Sequence, residues 1–221
     1  MFLCWQPKNG LGTRYIVGEL KQNPSGNCIF SYLTDTEDYR HATQEGFSGY
    51  PAFKSEGELH NENVLGTFLN RLPPRKRKDF SKYLSSHYIT EDFSGNDFSL
   101  LAHTSAKLPS DGFTLIPDLS RPQLPFDYVL EVAGTRHHVS DNDLINIQKE
   151  DAVTFIHEEN NPKDRNAIAI YWFDIKIGYV NRILSKSFTS LLSNHLLQGF
   201  VLDIARDSQR PLIRILIKAT S

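Results

Sequence analysis

The stretch "NNPKDRNAIAIYWFDIKIGYVNR", Asn160 to Arg182, decides how this chain is read. A polar corner, Asn-Asn-Pro-Lys-Asp-Arg-Asn, runs straight into the apolar segment "RNAIAIYWF", and "IKIGYV" follows at once. Short runs rich in Ile, Tyr and Trp between turn-forming residues read as β-strands. Beyond them, "NRILSKSFTSLLSNHLL" sets Ile183, Leu184, Phe188, Leu191, Leu192 and His195 at helical spacing. That pattern predicts an amphipathic helix with Asn181 as its N-cap.

Outward from this stretch, "FDYVLEVAG" and "DAVTFIHEE" precede it and "FVLDIAR" and "PLIRILIKA" follow, giving six strand candidates. "SDNDLINI", between the first two, reads as a short capped helix. Many short strands with one packing helix predict a small six-stranded β-barrel, since closure removes exposed sheet edges. Upstream, Leu108 to Val129 holds four prolines among Asp, Ser and Gly and reads as a connector. A boundary near Pro122 divides the chain into residues 1–121 and 122–221, with "FTLIP" a short strand candidate of the first half. That half opens on the strands "RYIVGEL" and "CIFSYL", joined by the hairpin-type turn "NPSGN". A short helix is expected between Thr34 and Glu45. Val64, Leu65, Phe68, Leu69 and Leu72 mark a further helix, stopped by Pro73-Pro74. Phe80, Tyr83, Leu84 and Tyr88 mark another, and "NDFSLLAHT" a last one capped by Asn96. The fold class is α+β.

Bulk properties narrow the function. Of 221 residues, 39% are hydrophobic and 23% charged, a globular composition. No apolar run approaches the roughly 20 residues that span a bilayer. No signal peptide is readable at the N-terminus, so a cytoplasmic protein without membrane attachment is expected. Cys4 and Cys28 make neither a disulfide framework nor a zinc motif. At a formal net charge of −2, any nucleic-acid binding has to come from a local patch or pocket. G-x-S-x-G, H-E-x-x-H, Walker and Cys-His signatures are lacking, which points to a binding protein without cofactor or metal rather than an enzyme.

"VAGTRHH", then "NNPKDRNAIAI", then "IGYVNR" ahead of an amphipathic helix resembles the HIRAN domain, from about Asp127 to Ala219. The resemblance implies a module that binds single-stranded DNA and holds a 3′-hydroxyl end in a pocket. Carried over by position, it implies a site of Arg136, His137, His138, Lys163, Asp164, Arg165, Asn166 and Arg182. In eukaryotic members aromatics stand where this chain has His137, His138 and Lys163, and the carboxylate at Asp164 contacts the terminal nucleotide. "YIVGEL", "CIFSYL" and "LGTFLNRLPP" resemble the N-terminal subdomain of the HipA kinase family, without the kinase core. Both resemblances point to a bacterial protein.

Elementary chemistry offers a second reading of the same residues. Asp164 and Asn166 after a proline are also suited to capping a turn. Arg136, Lys163, Arg165 and Arg182 sit beside predicted loops, where single charges are ordinarily just solvated. His137 and His138, neighbours at the end of a strand, would point to opposite faces and chelate poorly. The run Arg75, Lys76, Arg77 and Lys78 is a secondary basic patch at a predicted helix start, where cations oppose the helix dipole. The leading expectation is binding of single-stranded DNA or DNA ends, in repair or in defence against mobile elements. The alternative is a regulatory module acting on a kinase or other protein partner through the first half. The third is nuclease or hydrolase activity as an accessory to restriction or phage defence, and a kinase, helicase or nuclease component is the protein partner to expect.

Overall fold

The structure, a computed structural model, describes residues 1–7, 13–54, 57–93, 95–108, 111–120, 122, 124–207 and 211–220. Pro109, Ser110, Arg121 and Gln123 of the proline-rich connector lie outside the described residues. The chain divides into two compact units, Met1–Pro117 and Asp118–Ser221.

In the first unit, β1 (Phe2–Trp5), β2 (Tyr15–Gln22), β3 (Cys28–Tyr32) and β4 (Phe113–Ile116) form an antiparallel sheet in the order β3-β2-β1-β4. The segment "FTLIP" therefore belongs to this sheet, through pairing of β4 with β1. Four helices accompany it: α1 (Glu37–Gln44), α2 (Val64–Leu69), α3 (Phe80–Ser86) and α4 (Asp97–Thr104). Thr36 caps α1 by accepting the Tyr39 N–H, and Asn96 caps α4 by accepting that of Ser99. The core is aromatic: the Phe30 ring lies 4.9 Å from both Tyr32 and Phe53 and 5.8 Å from Phe68. Among the described residues of this unit one cationic side chain, that of Arg71, is buried. Arg71, only 7% exposed, donates to both carboxylate oxygens of Asp111 at 2.7 and 2.9 Å. It also donates to the carbonyls of Ala106 and Phe113, which ties the chain after α2 to the approach of β4.

The second unit is built on six antiparallel strands: β5 (Phe126–Glu131), β6 (Ala152–His157), β7 (Ile168–Trp172), β8 (Ile175–Tyr179), β9 (Leu196–Ala205) and β10 (Leu212–Thr220). Their order is β5-β10-β9-β6-β7-β8. Every segment expected to be a strand is one. The capped helices are α5 (Asp141–Asn146), with Ser140 as N-cap, and α6 (Arg182–Asn194), with Asn181 accepting the Ile183 N–H. Helix α6 buries Ile183, Leu184, Phe188 and Leu191, and Phe188 meets Phe155 of β6 at 5.1 Å. Ile213, Ile215 and Ile217 of β10 alternate into the same core. Among the described residues no helix is long and apolar enough to cross a membrane.

The expected closed barrel is corrected: the sheet is open, with β5 and β8 as its edges. The continuation of β5 does reach β8, but in one bridge only. Ala133 and Tyr179 exchange both backbone hydrogen bonds, at 2.8 and 2.9 Å. The chain then leaves the sheet at Gly134, whose φ of +80° suits glycine, and winds into a 3-10 helix, Thr135–His137. No extended backbone remains on that side to lengthen the seam. The same turn corrects the expectation that His137 and His138 stand at the end of a strand, since His137 lies on this helix with Arg136 and His138 caps it.

Candidate nucleic-acid interface

A bulge between β7 and β8 shapes the site. Ala169 pairs with Tyr179 and Ile170 with Gly178, but Tyr171 pairs with Lys176, leaving Ile177 as the extra residue. Strict alternation would put Lys176 and Tyr179, three apart, on opposite faces. The bulge turns both to one face, where the Lys176 ammonium donates to the Tyr179 hydroxyl at 3.0 Å. Gly178 permits it: its φ is +143°, and a Cβ there would meet the Ala133 carbonyl oxygen at 2.4 Å.

Beyond this bulge, from Tyr179 onward, lies a groove of about 1040 Å³. One wall is Gly134 and His138, another the end of β6 at His157 and Glu158. The loop Asn160–Asp164 forms a rim, Tyr179 and Val180 contribute from the end of β8, and Arg182 and Ser185 from α6. The loop is held from within. The Glu158 carboxylate accepts hydrogen bonds from Lys176 Nζ at 2.5 Å, Asn161 Nδ2 at 2.8 Å and the Tyr179 hydroxyl at 3.0 Å. Asn161 Oδ1 in turn accepts the backbone N–H groups of Lys163 and Asp164, at 3.0 and 3.3 Å. Asp164 Oδ1 accepts the Asn166 N–H at 2.9 Å. Asp164 is thus a turn cap and a groove-lining carboxylate at once.

The charges follow from these contacts. The hydrogen bond from Lys176 holds the Glu158 carboxyl below its ordinary range, and Glu158 raises the Lys176 ammonium above its own. The pair is about three-quarters enclosed, with side chains 24% and 26% exposed. Burial, and then the nearby Lys176 charge, depress His138, so its ring is neutral near pH 7. It meets the Tyr179 ring edge-to-face at 5.3 Å. The groove lining therefore offers an aromatic pair, the cations Lys163 and Arg182, and a carboxylate fixed by a turn.

Residues 125–218 match the HIRAN domain. The match covers the six strands and helix α6, hence the whole groove. The HIRAN domain of human HLTF is 16% identical over 42% of this chain and 74% of that one, with a TM-score of 0.35. A protein from Lactobacillus plantarum is 23% identical over 44% and 95%, with a TM-score of 0.37. No curated protein matches.

Of the residues expected at the site, the HIRAN region brings His138, Lys163, Asp164 and Arg182 to the one groove. Arg165 and Asn166 line a smaller concavity of about 340 Å³ with His157 and Glu159. Arg136 and His137 are exposed and line neither; the Arg136 Nε–H donates to His137 Nε2 at 3.0 Å. In the first unit, Arg75 pairs with Asp97 at 2.7 Å and Arg77 with Asp79 at 2.5 Å, which neutralises half of the secondary basic run. Glu158, Asn161 and Lys176 are groove-building residues that the sequence did not mark. Nothing in the sequence pairs Glu158 with Lys176, because the bulge is what brings the lysine to its face.

Proposed function

We propose that this protein binds nucleic acid through the groove of its second unit, with a single DNA strand or strand end as the ligand. The observation that carries the reading is the meeting of Lys163, Arg182, Asp164 and the Tyr179–His138 ring pair in one groove of a HIRAN region. Lys163 and Arg182 would contact phosphates, and the ring pair would take a base by stacking, as every base has a π-face. Tyr179 would thereby supply the aromatic surface that Lys163 lacks and that His137, outside the groove lining, does not bring to it. Asp164, preorganised by its turn, would accept the terminal hydroxyl. The volume is at the top of the range of about 300–1,000 Å³ for small-ligand pockets, so a few nucleotides fit better than a duplex. The formal net charge of −2 agrees with a confined contact rather than a long basic track. The protein acts on this reading as a binder rather than a catalyst, in DNA repair or defence.

Fluorescence anisotropy at low salt tests it, using labelled oligonucleotides that end in a 3′-hydroxyl or a 3′-phosphate and a blunt duplex. The single strand with the free hydroxyl should bind most tightly and Asp164→Asn should narrow its advantage. Equal and negligible binding of all three would sink the proposal.

A further inference from the structure

The bulge that builds the groove also builds a surface leading out of it. Directly opposed residues of an antiparallel pair share a face. Ile156 opposes Ala169, which opposes Tyr179; Thr154 opposes Tyr171, which opposes Lys176. These six residues therefore lie on one face across β6, β7 and β8, with Ala169 itself buried, and Tyr179 belongs both to this face and to the groove lining. The Lys176 ammonium lies 4.9 Å from the Tyr179 ring centroid and 5.8 Å from that of Tyr171, so one cation spans the two rings. Thr154 is exposed, Tyr171 is partly exposed, and Ile156 retains 49% of its surface. None of the six is a carboxylate. Glu158, at the edge toward the groove, is neutralised by Lys176. A phosphodiester passing over this face meets little repulsion, and an apolar base finds a ring and an aliphatic side chain.

We infer that a single strand leaving the groove continues across this face, with a base stacked on Tyr171 and the backbone passing over Thr154. This rests on the groove being the nucleic-acid site. Here Lys176 acts by holding the two tyrosines in one row, and its ammonium stays with Glu158 rather than gripping a phosphate. The occupant is a nucleic-acid strand, by continuity with the groove through the shared Tyr179; a protein segment covering Ile156 is the competing occupant.

The test compares a labelled thymidine trinucleotide, which the groove alone should hold, with a decanucleotide, which reaches the face. With the full chain, Tyr171→Ala should weaken decanucleotide binding by about 5- to 150-fold, the usual value of one base–aromatic stack, and leave the trinucleotide unchanged. Tyr171→Phe should restore it, because stacking needs the ring and not the hydroxyl. Thr154→Glu, at an exposed position, should weaken only the longer ligand by repelling its phosphates. Length-independent affinity in the wild type, or a decanucleotide indifferent to Tyr171→Ala and Thr154→Glu, overturns the track while leaving the groove intact. If neither oligonucleotide binds the wild type, groove and track fall together.

Discussion

Gly178→Ala is the perturbation that bears hardest on how the site is built. A Cβ at this position would lie 2.4 Å from the Ala133 carbonyl oxygen and 2.6 Å from Val132 Cγ1. The carbonyl belongs to the bridge that joins the continuation of β5 to β8, so it cannot yield without breaking that seam. Crowding of this kind costs about 1–3 kcal/mol, and the φ of +143° adds roughly 1–3 kcal/mol for a residue with a Cβ. A loss of about 2–6 kcal/mol is expected, a large fraction of the 5–15 kcal/mol typical of a domain. Gly134→Ala is the control: its φ is +80°, but nothing lies closer than 3.8 Å, so only about 1–2 kcal/mol is at stake. The chain has two tryptophans, Trp5 in the first unit and Trp172 in the second. In a Trp5→Phe background, urea unfolding followed through Trp172 fluorescence reads the second unit alone. A Gly178→Ala loss below about 1 kcal/mol, or one no larger than that of Gly134→Ala, would refute the tight seam and the re-aiming of Lys176 that depends on it.

Three further outcomes are expected. Arg71→Met should destabilise the first unit by about 2–4 kcal/mol, read through Trp5 with Trp172 replaced, because Asp111 and two carbonyls lose their donor; a change within 0.5 kcal/mol, the range of ordinary surface substitutions, contradicts this. For Glu158, whose folded pKa is lowered, the contribution to stability is present above the ordinary carboxylate range and lost as pH falls through the lowered value. For Lys176, raised by its partner, it is present below the ordinary lysine value and lost only above it. The stability difference between wild type and Glu158→Gln should hence be flat from about pH 5 to 10 and shrink in acid, and a difference growing below pH 4 would be the wrong sign. Phe188→Ala should cost the second unit about 3–5 kcal/mol by emptying the contact between α6 and β6, and a thermal midpoint that does not move would contradict that packing.

Much of the second unit could be read from its sequence, and the reasons are specific. Ile213, Ile215 and Ile217 alternate, and Ile183, Leu184, Phe188 and Leu191 recur at helical spacing, so β10 and α6 announce themselves. Closure could not be read, because it turns on the backbone leaving the sheet at Gly134 after one bridge. The four residues of β1, "FLCW", carry no alternation to mark them, and become a strand only by lying between β2 and β4. His138, Lys163, Asp164 and Arg182 were marked by the family resemblance, and the structure brings them to one groove. The Glu158–Lys176–Tyr179 cluster was hidden, because period-2 reasoning sends Lys176 to the wrong face and only the bulge corrects it. The extended run "FDYVLEVAG" does end at Gly134 as its pattern suggests, but the 3-10 turn that follows, which carries Arg136 and His137 outside the groove, has no periodicity to mark it. Arg71 looks in sequence like any helix-end cation, and its burial depends on Asp111, forty residues away.

The salt dependence of single-strand binding tests most directly whether the groove is a phosphate-gripping site. Each phosphate neutralised on a single strand contributes about −0.7 to the slope of log K against log salt. With Lys163 and Arg182 both engaged, anisotropy titrations of a single-stranded oligonucleotide should give a wild-type slope near −1.4, and Lys163→Ala or Arg182→Ala should each reduce its magnitude by about 0.7. A slope near zero, or one that neither substitution changes, would contradict the groove as the nucleic-acid site.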